Sequence, residues 1–304
     1  MNVIRVSDEF GTEAQCIAYL ERWRWPDGVR CVVCGCDKIT RVKSTSKKQA
    51  VRYLYQCNEP TCRQQFTAKS GTLFHDSHLP LQKWFMAMAL VCEAKKGISA
   101  HQLGRSIGVT YKTAWYMAHR IRAAMKDKNP MPMGGVVEMD ETYIGGRKIG
   151  EGVWEGRQNK LPVMGAIKRG GELRYQAVPN TKKKTVKPFV DQNVSPSAQM
   201  VVTDESVIYP GLLKDLKHRH QTVCHSKGEY VKFGMIHTNS IESAFSLLKR
   251  GYIGAFHKLS GKHLHRYLDE FQMRFNNRRN KQFFELVLEQ MTAHSPLQYK
   301  ALVG

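Results

Sequence analysis

The spacing of apolar residues changes character near residue 135, and that change divides the chain. Before it, Phe10, Cys16, Ile17, Tyr19, Leu20 and Trp23 recur at helical spacing and stop at the turn signal Pro26-Asp27-Gly28. This predicts a helical lead over residues 1–30. Residues 31–75 hold short strand-like pieces such as Tyr53-Leu54-Tyr55, and residues 79–126 return to a helical period. The stretch from Asp127 to Gly135 contains two Pro and two Gly and cannot sustain an element, so it marks a boundary.

Beyond that boundary the pattern turns to strands. Val136–Ile144 reads as one strand. Residues 163–169 and 172–178 flank Gly170-Gly171 and read as a hairpin. A helix is expected over residues 185–193, a short buried strand over Met200–Thr203, a further strand over residues 220–224, and a helix over residues 238–251 that Gly251 stops. Residues 145–162 are Gly-rich and basic, which predicts a loop. The resulting modules are residues 1–30, 31–75, 79–126 and 136–290.

Within the helical region, residues 99–107 form a short helix with Ser99 as its cap. Gly108-Val109 makes a turn, and Thr110 caps a second helix. A helix, a Gly-containing turn and a helix is the arrangement that lays a second helix in a DNA major groove. Tyr111, Lys112 and Thr113 lie at its N-terminal end, where base contacts form, and Arg120 and Arg122 follow as further DNA-contact candidates. An ordinary helical hairpin would show the same pattern. Ala114, Met117, Ala118 and Ile121 form the apolar face of that helix.

Charge adds to this picture. Among 304 residues, 47 Lys and Arg face 26 Asp and Glu, a formal net charge of +21. Such an excess favours a polyanionic partner, and nucleic acid is the commonest. The basic residues are spread along the chain, at Lys47-Lys48, Lys95-Lys96, Lys182-Lys183-Lys184 and Arg278-Arg279, which suggests that several modules touch a duplex. No run of about 18 apolar residues occurs, and the N-terminal residues lack a signal-peptide pattern, so no membrane partner and a cytoplasmic location are expected.

Five of the eight Cys fall in residues 31–75. Cys31 and Cys34 form one close pair and Cys57 and Cys62 a second. Four thiolates on two turns suit one tetrahedral, structural zinc ion. Cys36 could replace Cys34 as a ligand. Cys16, Cys92 and Cys224 lie in apolar stretches and read as core residues.

Three carboxylates stand apart from the solvated charges. Asp140 lies within an apolar strand, Asp204 follows the end of another, and Glu242 lies on the late helix. An unpaired carboxylate in a strand interior is costly, so Asp140 calls for a partner. Two strand carboxylates and one from a facing helix can bracket two Mg²⁺ (or Mn²⁺) ions for phosphodiester chemistry. Asp204 could instead cap a helix near Glu205, and Glu242 could close a capping box with Asn239. Lys249 lies two helical turns after Glu242, on the same face. Glu138, Glu141 and Glu205 are nearby carboxylates that rank below these three.

With these residues in place, the chain resembles the DDE transposases of bacterial insertion sequences, in the zinc-ribbon ISXO-like group. The resemblance spans roughly residues 12–280. It rests on the Cys pairs, Arg63-Gln64-Gln65-Phe66, Ser70-Gly71-Thr72-Leu73-Phe74, Lys112-Thr113-Ala114-Trp115, the run from Val137 to Gly145, the run from Thr238 to Glu242, and Leu248-Lys249-Arg250-Gly251. It implies an α/β fold: an RNase H-like catalytic core, a mixed sheet flanked by helices, preceded by a zinc ribbon and a helix-turn-helix. It also implies that Asp140, Asp204 and Glu242 are catalytic acids and that Lys249 contacts the DNA end. The expected partners are terminal inverted repeats and target DNA, bound by a homodimer or larger assembly. A zinc-ribbon transcription factor would share the charge and the Cys pairs but not use the three acids. A nuclease of the same fold would cut without joining.

Overall fold

The computed structural model describes residues 3–42, 53–145, 160–206, 208–214, 219–224, 231–232 and 235–303. Nearly all of the expected basic loop at 145–162, and Lys47-Lys48, lie outside the described residues. The chain divides into two compact units. One comprises Met1–Ala94, Ala100–Met125 and Asn280–Gly304, and the other Lys95–Ser99 and Lys126–Arg279.

In the first unit the expected helical lead is two helices, α1 (Val3–Glu9) and α2 (Glu13–Arg24). Thr12 and Gln15 form a reciprocal capping box that starts α2. A three-stranded antiparallel sheet follows, β1 (Ile39–Val42), β2 (Leu54–Cys57) and β3 (Gln65–Phe66), in that spatial order. Then come α3 (Leu81–Glu93), α4 (Ala100–Ile107) and α5 (Tyr111–Ala124). Helix α3 buries Leu81, Trp84, Phe85, Ala87, Met88, Ala89 and Val91, so it is apolar nearly all round and forms the centre of this unit. Phe85 packs edge-on against Phe10 at 4.8 Å and against Phe284, from the helix Phe283–Ala293, at 5.9 Å.

The second unit is built on a five-stranded sheet: β4 (Val136–Ile144), β5 (Leu161–Lys168), β6 (Leu173–Ala177), β7 (Met200–Thr203) and β8 (His220–Thr222). The spatial order is β6-β5-β4-β7-β8. The first three strands run antiparallel in sequence, and β7 and β8 are parallel to β4 and β7. This is the mixed sheet that an RNase H-like core requires, and the hairpin at Gly170-Gly171 falls where the turn signal puts it. Gly170 takes φ +70°, which a glycine adopts without strain.

Both faces of the sheet are covered. Val137 and Met139 of β4 join Met164, Ala166 and Val201 in a core closed by Val186, Phe189 and Val190 of α6 (Lys183–Asn193) and by Tyr209 of the short helix α7 (Tyr209–Leu212). The other face packs Ile144, Val163 and Ile167 against Ile241, Phe245 and Leu248 of α8 (Asn239–Gly251) and Leu268 and Phe271 of α9 (Leu264–Asn276). Helix α9 also protects the edge strand. Gln272 Oε1 accepts from the Tyr175 N–H at 2.9 Å, and Asn276 accepts from Leu173 N and donates to Leu173 O. Backbone groups that would otherwise invite another strand are thereby paired.

One glycine sets how closely α8 approaches. Gly165 of β5 pairs directly with Asp140 of β4. A Cβ there would lie 2.5 Å from the Phe245 ring and 2.8 Å from Ile241 Cδ1. Glycine in a strand interior marks such a close approach. Gly165→Val is expected to lose ~1–3 kcal/mol through overpacking, read as a lower denaturant midpoint with an unchanged slope in equilibrium unfolding.

Candidate active site and metal centres

The first candidate centre is the cysteine cluster. Gly35, at φ +74°, turns the chain so that its N–H bonds the Cys31 carbonyl at 3.0 Å, and the Cys31 N–H bonds the Cys36 carbonyl at 2.9 Å. This knuckle brings Cys31 and Cys34 to Cys57 and Cys62. The Sγ atoms of all four lie within 4.8 Å of one another. Cys31 is 3.7 Å from Cys62 and Cys34 is 3.6 Å from Cys57. These separations are too long for disulfides. A tetrahedron with arms of ~2.3 Å has edges of about 3.8 Å, so the donor set fits one zinc ion. Cys36 stands outside the cluster, with Sγ 4.0 Å from Glu59 Oε2. Burial opposes ionisation of Cys31, yet the backbone N–H groups of Cys34 and Val33 help to bring its thiol down to about 7.

The second candidate centre lies at the end of the larger sheet. Asp140 and Gly165 share one cross-strand pair, and Asp204 directly follows β7, which runs parallel beside β4. Carboxylate oxygens of Asp140, Glu141 and Asp204 lie within 4.8 Å of one another. Burial, followed by the charges of Asp204, Glu141 and Glu242, pushes the Asp140 carboxyl up to about 7, against the lowering effect of the Glu141 N–H. That N–H donates to Asp140 Oδ1 at 2.7 Å. Burial also raises Glu141, whose Oε2 accepts from the Tyr209 hydroxyl at 2.6 Å. Crowded, partly desolvated carboxylates of this kind are stabilised by a cation, and an all-oxygen set suits Mg²⁺ or Mn²⁺.

Glu242 and Lys249 lie along a groove of about 390 Å³ that Asp140, Glu141, Phe245, Ser246, Arg250 and Ile253 also line. Both are exposed on α8. Neither helix-cap alternative holds. Asp204 Oδ1 accepts from Ser206 N at 3.1 Å in a local turn, and α7 begins only at Tyr209. Glu242 Oε1 accepts from the Thr238 hydroxyl at 2.7 Å.

The capping role at the head of α8 belongs to a residue on the sheet. Glu138, two positions before Asp140 and on the same face of β4, is fully buried. Its carboxylate accepts from the N–H groups of Ser240 (2.8 Å) and Ile241 (3.1 Å) and from the Ser240 hydroxyl (3.0 Å). Arg169 Nε closes an ion pair at 2.6 Å, and His237 Nδ1 lies 3.4 Å away. From the sequence, Glu138 ranks with Glu141 and Glu205 below Asp140, Asp204 and Glu242; the structure puts Glu141 in the acidic cluster and gives Glu138 this capping role. The signal available was a second carboxylate at period 2 from Asp140, in a strand with an apolar alternate face.

The helix pair α4–α5 is present, with Gly108 at φ +64° and Thr110 accepting from Thr113 N at 3.3 Å. Tyr111 and Lys112 are exposed and Thr113 is half-buried at the start of α5. The expected DNA contacts from Arg120 and Arg122 need correction. Their relative exposures are 4% and 2%. Arg120 donates to Leu297 O and His75 O and stacks over Tyr116 at 4.6 Å, so its guanidinium is spent on internal carbonyls. The apolar face from Ala114 to Ile121 is buried as expected.

Comparison with known proteins agrees with this layout. Residues 132–276 match the ISXO2-like transposase domain, and residues 11–65 match the transposase zinc-ribbon domain. The uncharacterized protein in transposable element ISH50 of Halobacterium salinarum is 29% identical over 281 residues, which is 87% of this chain and 91% of that protein. Among solved structures, the Mos1 strand transfer complex aligns at a TM-score of 0.28 and 10% identity, over 68% of this chain and 74% of that one. A pre-cleavage Mos1 transpososome aligns at 0.26 and 9%, over 71% and 79%. The fold rests on the sheet order and the two domain matches. Residues 132–276 thus belong to the ISXO2-like transposase domain family and residues 11–65 to the transposase zinc-ribbon domain family, and the chain as a whole is similar to an insertion-sequence protein.

Proposed function

We propose that this transposase binds the terminal inverted repeats of its element, cleaves the 3′ ends and joins them to target DNA, with Asp140, Asp204 and Glu242 as its metal-holding acids. The observation that carries the reading is the meeting of Asp140, Glu141 and Asp204 within 4.8 Å, beside a groove that Glu242 and Lys249 also line. Divalent cations bound there would supply Lewis acidity, activating an attacking oxygen and stabilising the leaving one. Asp140 and Asp204 hold this position from the sheet and Glu242 from α8. Lys249 and Arg250 offer cationic groups to phosphates along the groove. In the first step a water oxygen bonds to phosphorus as the bond to the 3′ oxygen breaks. In the second, the freed 3′-hydroxyl bonds to a target phosphorus and a target hydroxyl leaves. No enzyme side chain bonds covalently to DNA.

The Cys31, Cys34, Cys57 and Cys62 cluster is assigned as a structural zinc site, since four protein ligands leave no open position. Tyr111, Lys112 and Thr113 are assigned to end recognition, with a duplex as partner and the net charge of +21 favouring phosphate contacts. Terminal repeats come in pairs, so the working form on DNA holds at least two copies. Among the described residues no helix is long and apolar enough to cross a membrane.

Three outcomes test this reading. Asp140→Ala should abolish Mg²⁺-dependent cleavage and joining of labelled end DNA while its mobility-shift affinity stays within about threefold; strand transfer at the wild-type rate would overturn the assignment. Elemental analysis should find one zinc per chain in the wild type and in Cys36→Ser, and none in Cys57→Ser. Lys112→Ala should weaken end binding and reduce the slope of log affinity against log salt by about 0.9, measured by fluorescence anisotropy across a salt series, whereas an unchanged slope removes Lys112 from the phosphate contacts.

A further inference from the structure

The head of α8 is organised in an unusual way. Its N-cap residue, Thr238, makes no side-chain capping bond to the helix. The first free N–H groups, of Ser240 and Ile241, are taken by the buried carboxylate of Glu138 on β4. The Thr238 hydroxyl instead donates to Glu242 Oε1, at 2.7 Å. Arg169 completes the arrangement with three separate donors. Nε binds Glu138, Nη1 the Met235 carbonyl at 2.5 Å, and Nη2 the His237 carbonyl at 2.9 Å. One guanidinium thus joins the strand that carries Asp140 to the segment that leads into α8.

These contacts have a geometric consequence. Glu138 and Asp140 are two residues apart on one strand face, and the N–H that Glu138 binds belongs to Ile241, the residue before Glu242. The separation of Asp140 and Glu242 is thereby set by a short, charged, buried path. Packing of Ile241 and Phe245 over Gly165 lets the helix approach the sheet closely, and apolar packing of this kind is non-directional. The latch of hydrogen bonds supplies the restraint on position, because each bond is directional.

We propose that Glu138, Arg169 and Thr238 are positioning residues for the metal-holding site: Glu138 and Arg169 set the start of α8, and Thr238 orients the Glu242 carboxylate. This rests on the reading of Asp140, Asp204 and Glu242 as metal-holding acids. Groups that orient metal ligands characteristically change affinity or activity by about 10–100-fold when removed.

The test uses the full-length protein with Mn²⁺ as probe. Mn²⁺ affinity without DNA is measured by electron paramagnetic resonance, end-DNA affinity by anisotropy, and cleavage as a function of Mn²⁺ concentration. Thr238→Val keeps the shape of the side chain and removes only the hydroxyl. Arg169→Lys keeps the charge and loses the fork of donors. Both should bind end DNA within about twofold of wild type, bind Mn²⁺ about tenfold more weakly, and recover most of their cleavage at high Mn²⁺. Glu138→Gln should show the larger defect if it folds by circular dichroism, and the other two variants decide the matter if it does not. Wild-type Mn²⁺ affinity and cleavage in folded Thr238→Val and Arg169→Lys would overturn the positioning role. Asp140→Ala serves as the control: if it too keeps wild-type Mn²⁺ affinity, the underlying metal site fails instead.

Discussion

A carboxylate buried away from water must be paired on all sides or it destabilises the fold by several kcal/mol. Glu138 meets that demand with two helix N–H groups, a serine hydroxyl and an arginine. The placement of α8 beside the sheet acids depends on this contact. The contact ties β4, the central strand, to α8, which carries Glu242 and Lys249. It also uses the positive end of the helix to stabilise the negative charge, so the demand and its satisfaction are local. Apolar packing alone would bring α8 to the same face of the sheet but would not choose its register so sharply.

The electrostatics of the groove run opposite to those of the chain as a whole. A protein with a net charge of +21 gathers Asp140, Glu141 and Asp204 into one cluster and leaves Asp140 with a carboxyl at about 7. Burial is the largest cause and the neighbouring acids add to it. Such an arrangement is poor for stability in isolation, and it is the environment in which a divalent cation gains most. Lys249 and Arg250 then line the same groove as Asp140, Glu141 and Glu242, so cationic and acidic side chains lie side by side.

The cysteine cluster uses the same economy in a smaller space. The three-stranded sheet has few apolar residues, with Tyr55 and Phe66 as its buried aromatics. A core this small gains much of its stability from cross-linking. The four sulfurs at 3.6–3.7 Å across each pair are already at the separations of a tetrahedral site, which the spacing of Cys31, Cys34, Cys57 and Cys62 allows and the left-handed turn at Gly35 makes possible.

Much of this was legible in the residues themselves. Val136–Ile144, the hairpin at Gly170-Gly171 and Met200–Thr203 read directly from alternation and turn residues, because period and turn chemistry are local properties. The cysteine pairing also read from spacing, since ligand geometry permits few alternatives. Tertiary structure decided the rest. Arg120 and Arg122 look like surface cations on a DNA-facing helix, yet they are buried, because which face of α5 turns inward depends on its neighbours. Residues 280–304 group with the N-terminal unit although they follow the sheet domain in sequence. Glu138 and Asp140 share a strand face and a residue class, and nothing local distinguishes the one that caps a helix from the one that opens onto the groove. That distinction depends on where α8 begins, a hundred residues away, and only folding brings the two together.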